Sequence, residues 1–385
     1  MRKILQVSIA GWIAFSIACD NPTEPKRNPY EQHPIEWPSL ADSPWPMYAH
    51  DPQNTNRSQY SGPDQGEIAW EYRLINGQTL HSNIVIGEND TIYFISSQDF
   101  DTSSQKYTAF IYKLDPDGNF VKKAVVYNGN RYPEIFNAPI LTSTGKIWLA
   151  STDNYVYCLN RDLNVVFKKE LNCEYANYLG GNINLAFQYI FPTTDSIYKF
   201  SENSDYCSVS ISKIFSIAIS PANEEKYSEH NIISYNNAGQ YYFIDNNYLY
   251  AYGNENQLQW KIAPAPDSGI SLDASSGQCI DIRGNIICCA ERNWVFSISP
   301  IGKLNWRIQV PNFSPGTFPI CDSDNNVYLG SNNVNNMCII CLDYRGNVKW
   351  CIDSFQSRYS GNMAINSRRN LLVLQKDLRG IICIK

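Results

Sequence analysis

The sequence predicts an all-β fold, a β-propeller of four-stranded antiparallel blades, and three observations carry that prediction. A turn-flanked strand unit recurs seven times at a period near 45 residues. A large aromatic stands nine residues past the same position in most copies. The final copy, GIICIK, ends the chain before the strand that would hold that aromatic.

The unit reads as two β-forming residues, a small or polar residue, an apolar one, then a turn. It occurs as IYKLDPDG, VYCLNRDL, IYKFSENS, LYAYGNEN, VFSISPIG, IICLDYRG and IICIK. Its third position falls at Lys113, Cys158, Lys199, Ala251, Ser297, Cys341 and Cys383, with successive spacings of 45, 41, 52, 46, 44 and 42. That regularity makes the 385 residues one repeat-built domain rather than two or three average ones. Upstream of most copies lies another strand pair around a turn, as in NIVIGENDTIYFIS, APILTSTGKIWLAS, PICDSDNNVYLGS and MAINSRRNLLVLQ. These runs are short and rich in Ile, Val, Tyr and Leu, which is strand patterning. Downstream, Phe167, Trp260, Trp306 and Trp350 take the anchor position, whereas the first and third copies carry Lys122 and Ser208 there. Four strands per repeat of 40 to 50 residues is a propeller blade.

A blade cannot bury both faces alone, and an open ring would expose sheet edges at its two ends. GEIAWEY, near the start, is an orphan strand with Trp70 in the anchor place. It is expected to complete the last blade, giving seven blades clasped by joining the two ends of the chain.

The first residues are a targeting segment and take no part in the fold. Arg2 and Lys3 precede the apolar stretch ILQVSIAGWIAFSIA, which is too short to span a bilayer comfortably. It ends in SIAC, which resembles the bacterial lipobox although Ser16 stands where Leu is usual. The resemblance implies a signal peptide over 1–18 and lipidation at Cys19, holding the protein on a membrane by acyl chains. Residues 19–44 are polar and Pro-rich and read as a tether, which leaves 45–385 as the propeller.

The repeats, of the form Y-x-aL-dxxG-xxxW, resemble the quinoprotein-type (PQQ-like) β-propeller repeat. WPMYAHDPQNTNRSQYSGP, residues 45–63, is similar to the leader that precedes the first Trp strand in that family. Its best-known members, quinoprotein dehydrogenases and the propeller lipoprotein of outer-membrane barrel assembly, have eight blades, against the seven counted here. The resemblance implies the fold, and either a PQQ-dependent oxidoreductase or the non-enzymatic lipoprotein branch.

A formal charge of −6 argues against a broad basic face for nucleic acid. His33, His50, His81 and His230 are too dispersed for a histidine metal centre. PQQ chemistry implies a divalent cation on carboxylate and amide oxygens above an aromatic floor. Asp273, Asp281 and Asp322 are instead scattered turn or strand-edge residues. No cofactor, metal or catalytic residue is therefore expected. A carbohydrate-processing enzyme would need a carboxylate pair, which is not legible either.

Twelve cysteines include CIIC at Cys338 and Cys341. On a strand, residues i and i+3 point to opposite faces, so this pair is expected to pack rather than share a ligand. Adjacent Cys288 and Cys289 resemble the vicinal disulfide beside the cofactor of PQQ alcohol dehydrogenases. They lie within a predicted strand rather than a loop, however, and read as two packed thiols. Trp45, Tyr48, Asp51 and Arg57 are expected to pack the leader against the closing blade.

The connections from an outer strand to the next inner strand gather at one end of a propeller. Here they carry Arg131, Tyr132, Tyr175, Tyr178, Phe313, Phe355, Arg358 and Tyr359. Tyr, Phe and Arg on a rigid scaffold suit a recognition surface, and they also suit sealing the channel. The expectation is a monomeric exported lipoprotein of the outer membrane, on its periplasmic face or at the cell surface. It would act as a non-catalytic binding module for an envelope protein, peptide or glycan and touch the membrane through its lipid anchor only.

Overall fold

The computed structural model describes residues 28–385 except 76–77, 81–82, 131–137, 152–154, 171–181, 184–187, 193–195, 204–205, 214–232, 246, 264–271, 273–276, 292, 311–316, 332–336, 356–359 and 376–379. Among the described residues the chain is all β apart from one short 3-10 turn, and its strands form seven antiparallel sheets. The first sheet begins with Gln78–Leu80 and Val85–Ile86, both paired to Ile92–Asp101, and continues outward through Lys106–Leu114 to Phe120–Gly129. The next five are four-stranded meanders, ending at outer strands Val165–Glu170, Tyr206–Lys213, Leu258–Ile262, Leu304–Gln309 and Val348–Phe355.

The missing strand lies in the seventh sheet. Its order is Ser360–Ile365, Leu371–Gln375, Gly380–Ile384 and then Ile68–Arg73 from the other end of the chain. Trp70 pairs with Cys383, and Glu67 and Lys385 exchange backbone hydrogen bonds just beyond. This is the β-propeller expected from the repeat, closed by the strand around Trp70.

The anchor register is uniform. Lys122, Phe167, Trp260, Trp306, Trp350 and Trp70 lie opposite Lys113, Cys158, Ala251, Ser297, Cys341 and Cys383. In each case one bulged residue separates the anchor from the pair next to the turn, which twists the outer strand and re-aims its side chain. The third sheet departs from the expectation of Ser208. Its pairing runs unbroken to Asn203 and Tyr206, so the two strands meet further along the chain and Ser210 rather than Ser208 stands opposite Lys199.

Trp260 and Trp306 land on the outer turn of the following sheet. Trp260 Nε1 donates to the Pro300 carbonyl at 2.9 Å and Trp306 Nε1 to the Tyr344 carbonyl at 2.9 Å. Under those rings sit Gly302 and Gly346, both at positive φ, where an added Cβ would come within 2.8 and 2.9 Å of the indole. Glycine is required twice there, by the turn and by the ring. Trp350 has no hairpin turn to meet, because the outer strand of the seventh sheet comes from the N-terminal side. It donates instead to Pro63 at 3.2 Å and lies against Gly66. Lys122, which lacks a ring, still donates from Nζ to the Asp162 carbonyl in the next sheet's outer turn.

The core is a series of intersheet layers. One joins the first and second sheets through Ile95, Ile111, Leu149 and Leu159, and another joins the fourth and fifth through Tyr242, Ala251, Cys288 and Phe296. The layer around the closure contains Phe94 and Leu114 of the first sheet, Cys341 of the sixth and Leu372 and Cys383 of the seventh.

Removing residues through Arg73 is predicted to leave the seventh sheet with a bare outer edge and Trp350 without its Pro63 acceptor. Truncating one large core aromatic costs about 3–5 kcal/mol, comparable to the net stability of many domains. Such a chain should aggregate or melt far below the intact protein; normal melting would show that Ile68–Arg73 does not close the ring.

Candidate functional site

In a four-stranded meander the first and third hairpin turns share one end, and the outer-to-inner connections share the other. The turn end is built on repeated carboxylate or amide caps. Asp281 Oδ1 accepts from the Asn285 amide, and Asn236, Asp322 and Asn366 repeat the device in their own sheets. Asp322 also accepts from the Tyr328 hydroxyl at 2.9 Å and from the Gly62 amide at 2.9 Å. These carboxylates hold turns and the leader. Burial pushes the Asp281 carboxyl up, partly offset by hydrogen bonds from Asn285. Asp273 lies outside the described residues.

The leader crosses this turn end and bonds to the innermost strands. Trp45 exchanges backbone hydrogen bonds with Ile86, Ala41 donates to Leu141, Gln53 accepts from Tyr235, Thr55 from Ile280 and Asn56 from Cys321. Those partners belong to the first, second, fourth, fifth and sixth sheets. An inner strand has an open edge toward the channel, and its unpaired N–H and C=O groups need partners. The leader supplies them. Residues 28–44 therefore differ from the free tether expected of their composition: Ser39, Leu40 and Ala41 are buried, and Gln32 donates its amide to Ile282. A polar, proline-rich segment can do this without a core of its own, because its contribution is backbone pairing.

Trp45, Tyr48, Asp51 and Arg57 line this crossing rather than the closing sheet alone. Tyr48 meets Phe318 edge-on at 5.8 Å, and Arg57 donates to the Ile280 and Asp281 carbonyls at 3.1 and 3.4 Å. Where Trp45 and Tyr48 face Ile84, Ile320 and Met363, only about 10 Å³ of space remains, room for barely one water. Outside this plug, a cavity of about 580 Å³ opens between passes of the leader, lined by Ile35, Trp37, Pro46, His50 and Arg57 among others. Its volume falls in the range of small-molecule sites.

Asp51 organises the leader's turn. Its carboxylate accepts from the Gln53 and Thr55 amides at 3.0 and 3.1 Å, from the Thr55 hydroxyl, and faces His50 Nδ1 at 3.2 Å. Burial favours the neutral acid, but the His50 hydrogen bond, the charges of His50 and Arg57 and the Thr55 hydroxyl outweigh it, so the carboxyl titrates below its ordinary range.

In sequence, the connection after Phe120–Gly129 contains Arg131 and Tyr132, and the one after Val165–Glu170 contains Tyr175 and Tyr178. Phe313 follows Leu304–Gln309, and Arg358 and Tyr359 follow Val348–Phe355. All seven lie outside the described residues, as does Cys19. Phe355 ends its strand opposite Met337. Among the described residues no three His, Cys, Asp or Glu side chains gather where they could hold a metal ion. Cys288 and Cys289 sit mid-strand and face opposite layers, and burial pushes the Cys288 thiol up to about 12.

No family model matches the chain, and no curated protein matches it. Solved structures do. A catalytically inactive virginiamycin B lyase from Staphylococcus aureus, with quinupristin, superposes with a TM-score of 0.53 at 12% identity, over 82% of this chain and 98% of that one. BamB from Moraxella catarrhalis gives 0.51 at 10% identity, over 83% and 99%. A lyase and BamB thus match about equally well. The likeness is one of fold, and the fold is a β-propeller.

Asp51→Asn should destabilise the protein by about 1.5–3 kcal/mol, the usual contribution of hydrogen bonds to a charged group. Because the folded-state pKa lies below the unfolded one, the wild-type advantage is fully present above about pH 4 and is lost as pH falls through the folded value. Urea unfolding of both proteins across that range checks this; an equal gap at all pH values would contradict it.

Proposed function

We propose that this chain is a lipid-anchored cell-envelope propeller of the PQQ-like repeat type. It binds a protein, peptide or glycan, without catalysis, at the end carrying the outer-to-inner connections. The observation that carries this reading is the leader. It occupies the turn end of the channel and is already docked at Asn28, whose side chain donates to the Arg283 carbonyl. Asn28 is only nine residues beyond Cys19. Nine residues reach about 30 Å at full stretch. Acylation of Cys19 would therefore hold the turn end toward the bilayer and turn the connection end away from it. No helix among the described residues is long and apolar enough to cross a membrane.

On this reading Arg131, Tyr132, Tyr175, Tyr178, Phe313, Phe355, Arg358 and Tyr359 would meet the partner in the envelope space. Aromatic rings and guanidinium groups on a rigid scaffold supply large contact area at low entropic cost. A non-catalytic role is supported by the engagement of Asp281 and Asp322, which are committed to turn amides and to the leader.

Two measurements test the reading separately. Cys19→Ser should release the protein from membranes or leave the precursor uncleaved; unchanged processing and membrane association would remove the anchor. Replacing Arg131, Tyr132, Arg358 and Tyr359 together by Ala should abolish capture of the envelope partner by a chain starting at residue 28. Its melting temperature should stay nearly constant, since side chains that face solvent each contribute within about 0.5 kcal/mol. A large melting loss would mean that these side chains seal the channel instead.

A further inference from the structure

In four sheets the two outer strands are fastened at one recurring pair of positions. These are the residue three before the alignment position and the residue just after the anchor. They are diagonal neighbours on one face of an antiparallel pair, within reach of long side chains. In the first sheet Lys123 Nζ lies 4.4 Å from the Phe110 ring centre, and in the second Lys168 lies 3.9 Å from Tyr155. In the fourth, Lys261 lies 4.9 Å from Tyr248, and in the fifth the Arg307 guanidinium lies 5.5 Å from Trp294. Four sheets thus hold a cation over a ring at the same register.

The same two positions in the sixth sheet are Cys338 and Cys351. Their sulfurs are 2.8 Å apart. That is inside the ~3.5–4.0 Å of ordinary van der Waals contact and within about 1 Å of a disulfide bond length. We infer that Cys338 and Cys351 form a disulfide, a covalent clasp in place of the cation and ring.

Cys341 is not the partner of either. It faces the layer shared with the seventh sheet, whereas Cys338 faces the layer shared with the fifth. Cys351 is exposed and Cys338 is buried, so an incoming oxidant meets Cys351 first. The oxidant is a disulfide, either of a dithiol-oxidising protein or of glutathione. The Cys351 thiolate attacks one of its sulfurs and expels a thiolate, leaving a mixed disulfide. The Cys338 thiolate then attacks Cys351 Sγ and expels the second. The two cysteines lose two protons and two electrons, and the oxidant's disulfide becomes two thiols. The bond ties Val348–Phe355, the strand leading into the connection with Arg358 and Tyr359, to its neighbour Met337–Leu342. The inference rests on the repeat register and holds whether or not that connection binds a partner.

The full chain, equilibrated in oxidised and reduced glutathione, is quenched in acid, alkylated with N-ethylmaleimide and digested with trypsin. Cleavage after Arg345 and Lys349 separates the two cysteines, so a disulfide leaves residues 308–345 joined to residues 350–358. The joined species should form in the wild type, in Cys341→Ser and in Cys321→Ser, and should be missing in Cys338→Ser. Native alkylation of Cys351 should fall roughly tenfold on oxidation and return with dithiothreitol. Oxidation should also raise the melting temperature of the wild type but not of Cys351→Ser, a surface change that keeps the fold. A stable glutathione adduct on Cys351 with no joined species would overturn the inference, as would a joined species that persists in Cys338→Ser.

Discussion

The ring depends on seating an outer-strand side chain of one sheet against its neighbour, as Lys122, Trp260, Trp306 and Trp70 do at the next sheet's outer turn. A twisted sheet with two apolar faces has no stable existence until both are covered. The intersheet layers cover them, but a layer of Ile, Val and Leu fixes neither register nor angle. The anchor does. Trp260 and Trp306 each combine a ring laid on a positive-φ glycine with an indole hydrogen bond to a turn carbonyl. The bulge before each anchor turns the side chain toward that target. Trp70 likewise lies over Gly118 in the first sheet's outer turn, and the constraint persists where no hairpin turn exists: Trp350 reaches Pro63 and Gly66. Closing the ring with the N-terminal strand supplies both an edge and the missing turn.

The inner edges pose the complementary problem. Seven sheets converge on a channel, and strands as short as Ile140–Leu141 or Ile320–Cys321 present backbone groups there with nothing of their own to pair. The leader answers with backbone rather than apolar surface. The Asp51 carboxylate shapes its turn, and Arg57 caps the Ile280 and Asp281 carbonyls. One consequence is directional. The leader occupies the turn end, and a chain emerging from Asn28 starts at that same end.

How much of this is legible in the sequence follows from which groups carry the information. The repeat spacing and the orphan Trp70 are side-chain patterns, so the sheets, their order and the closure can be read directly. Lys122 looks degenerate because the pattern expects a ring, yet like Trp260 and Trp306 it donates to a carbonyl in the next sheet's outer turn, that of Asp162. Ser210 rather than Ser208 stands opposite Lys199 because the strand pairing runs on to Asn203 and Tyr206, and no residue type marks that longer hairpin. The leader's docking is illegible for a similar reason: its bonds are made by main-chain groups, while its composition reads as a tether. The connection residues from Arg131 to Tyr359 are read from chemistry and topology alone, and all but Phe355 lie outside the described residues.

Repetition itself separates what the fold needs from what it tolerates. At the outer-strand fastening, a lysine over Phe110 or Tyr155, an arginine over Trp294 and a pair of sulfurs at Cys338 and Cys351 occupy one geometric slot. The seventh sheet places Gly380 and Glu71 there, and Glu71 pairs with Arg73 along its own strand. What is common is a cross-strand or along-strand tie near the rim, not a residue type. The alignment position behaves the same way, accepting Cys158, Ala251, Ser297, Cys341 and Cys383 as small buried side chains opposite large anchors. Cysteine there is packing, because its neighbours in the repeat are alanine and serine. Cysteine at the fastening slot is different, because there it replaces side chains whose role is to hold two strands together.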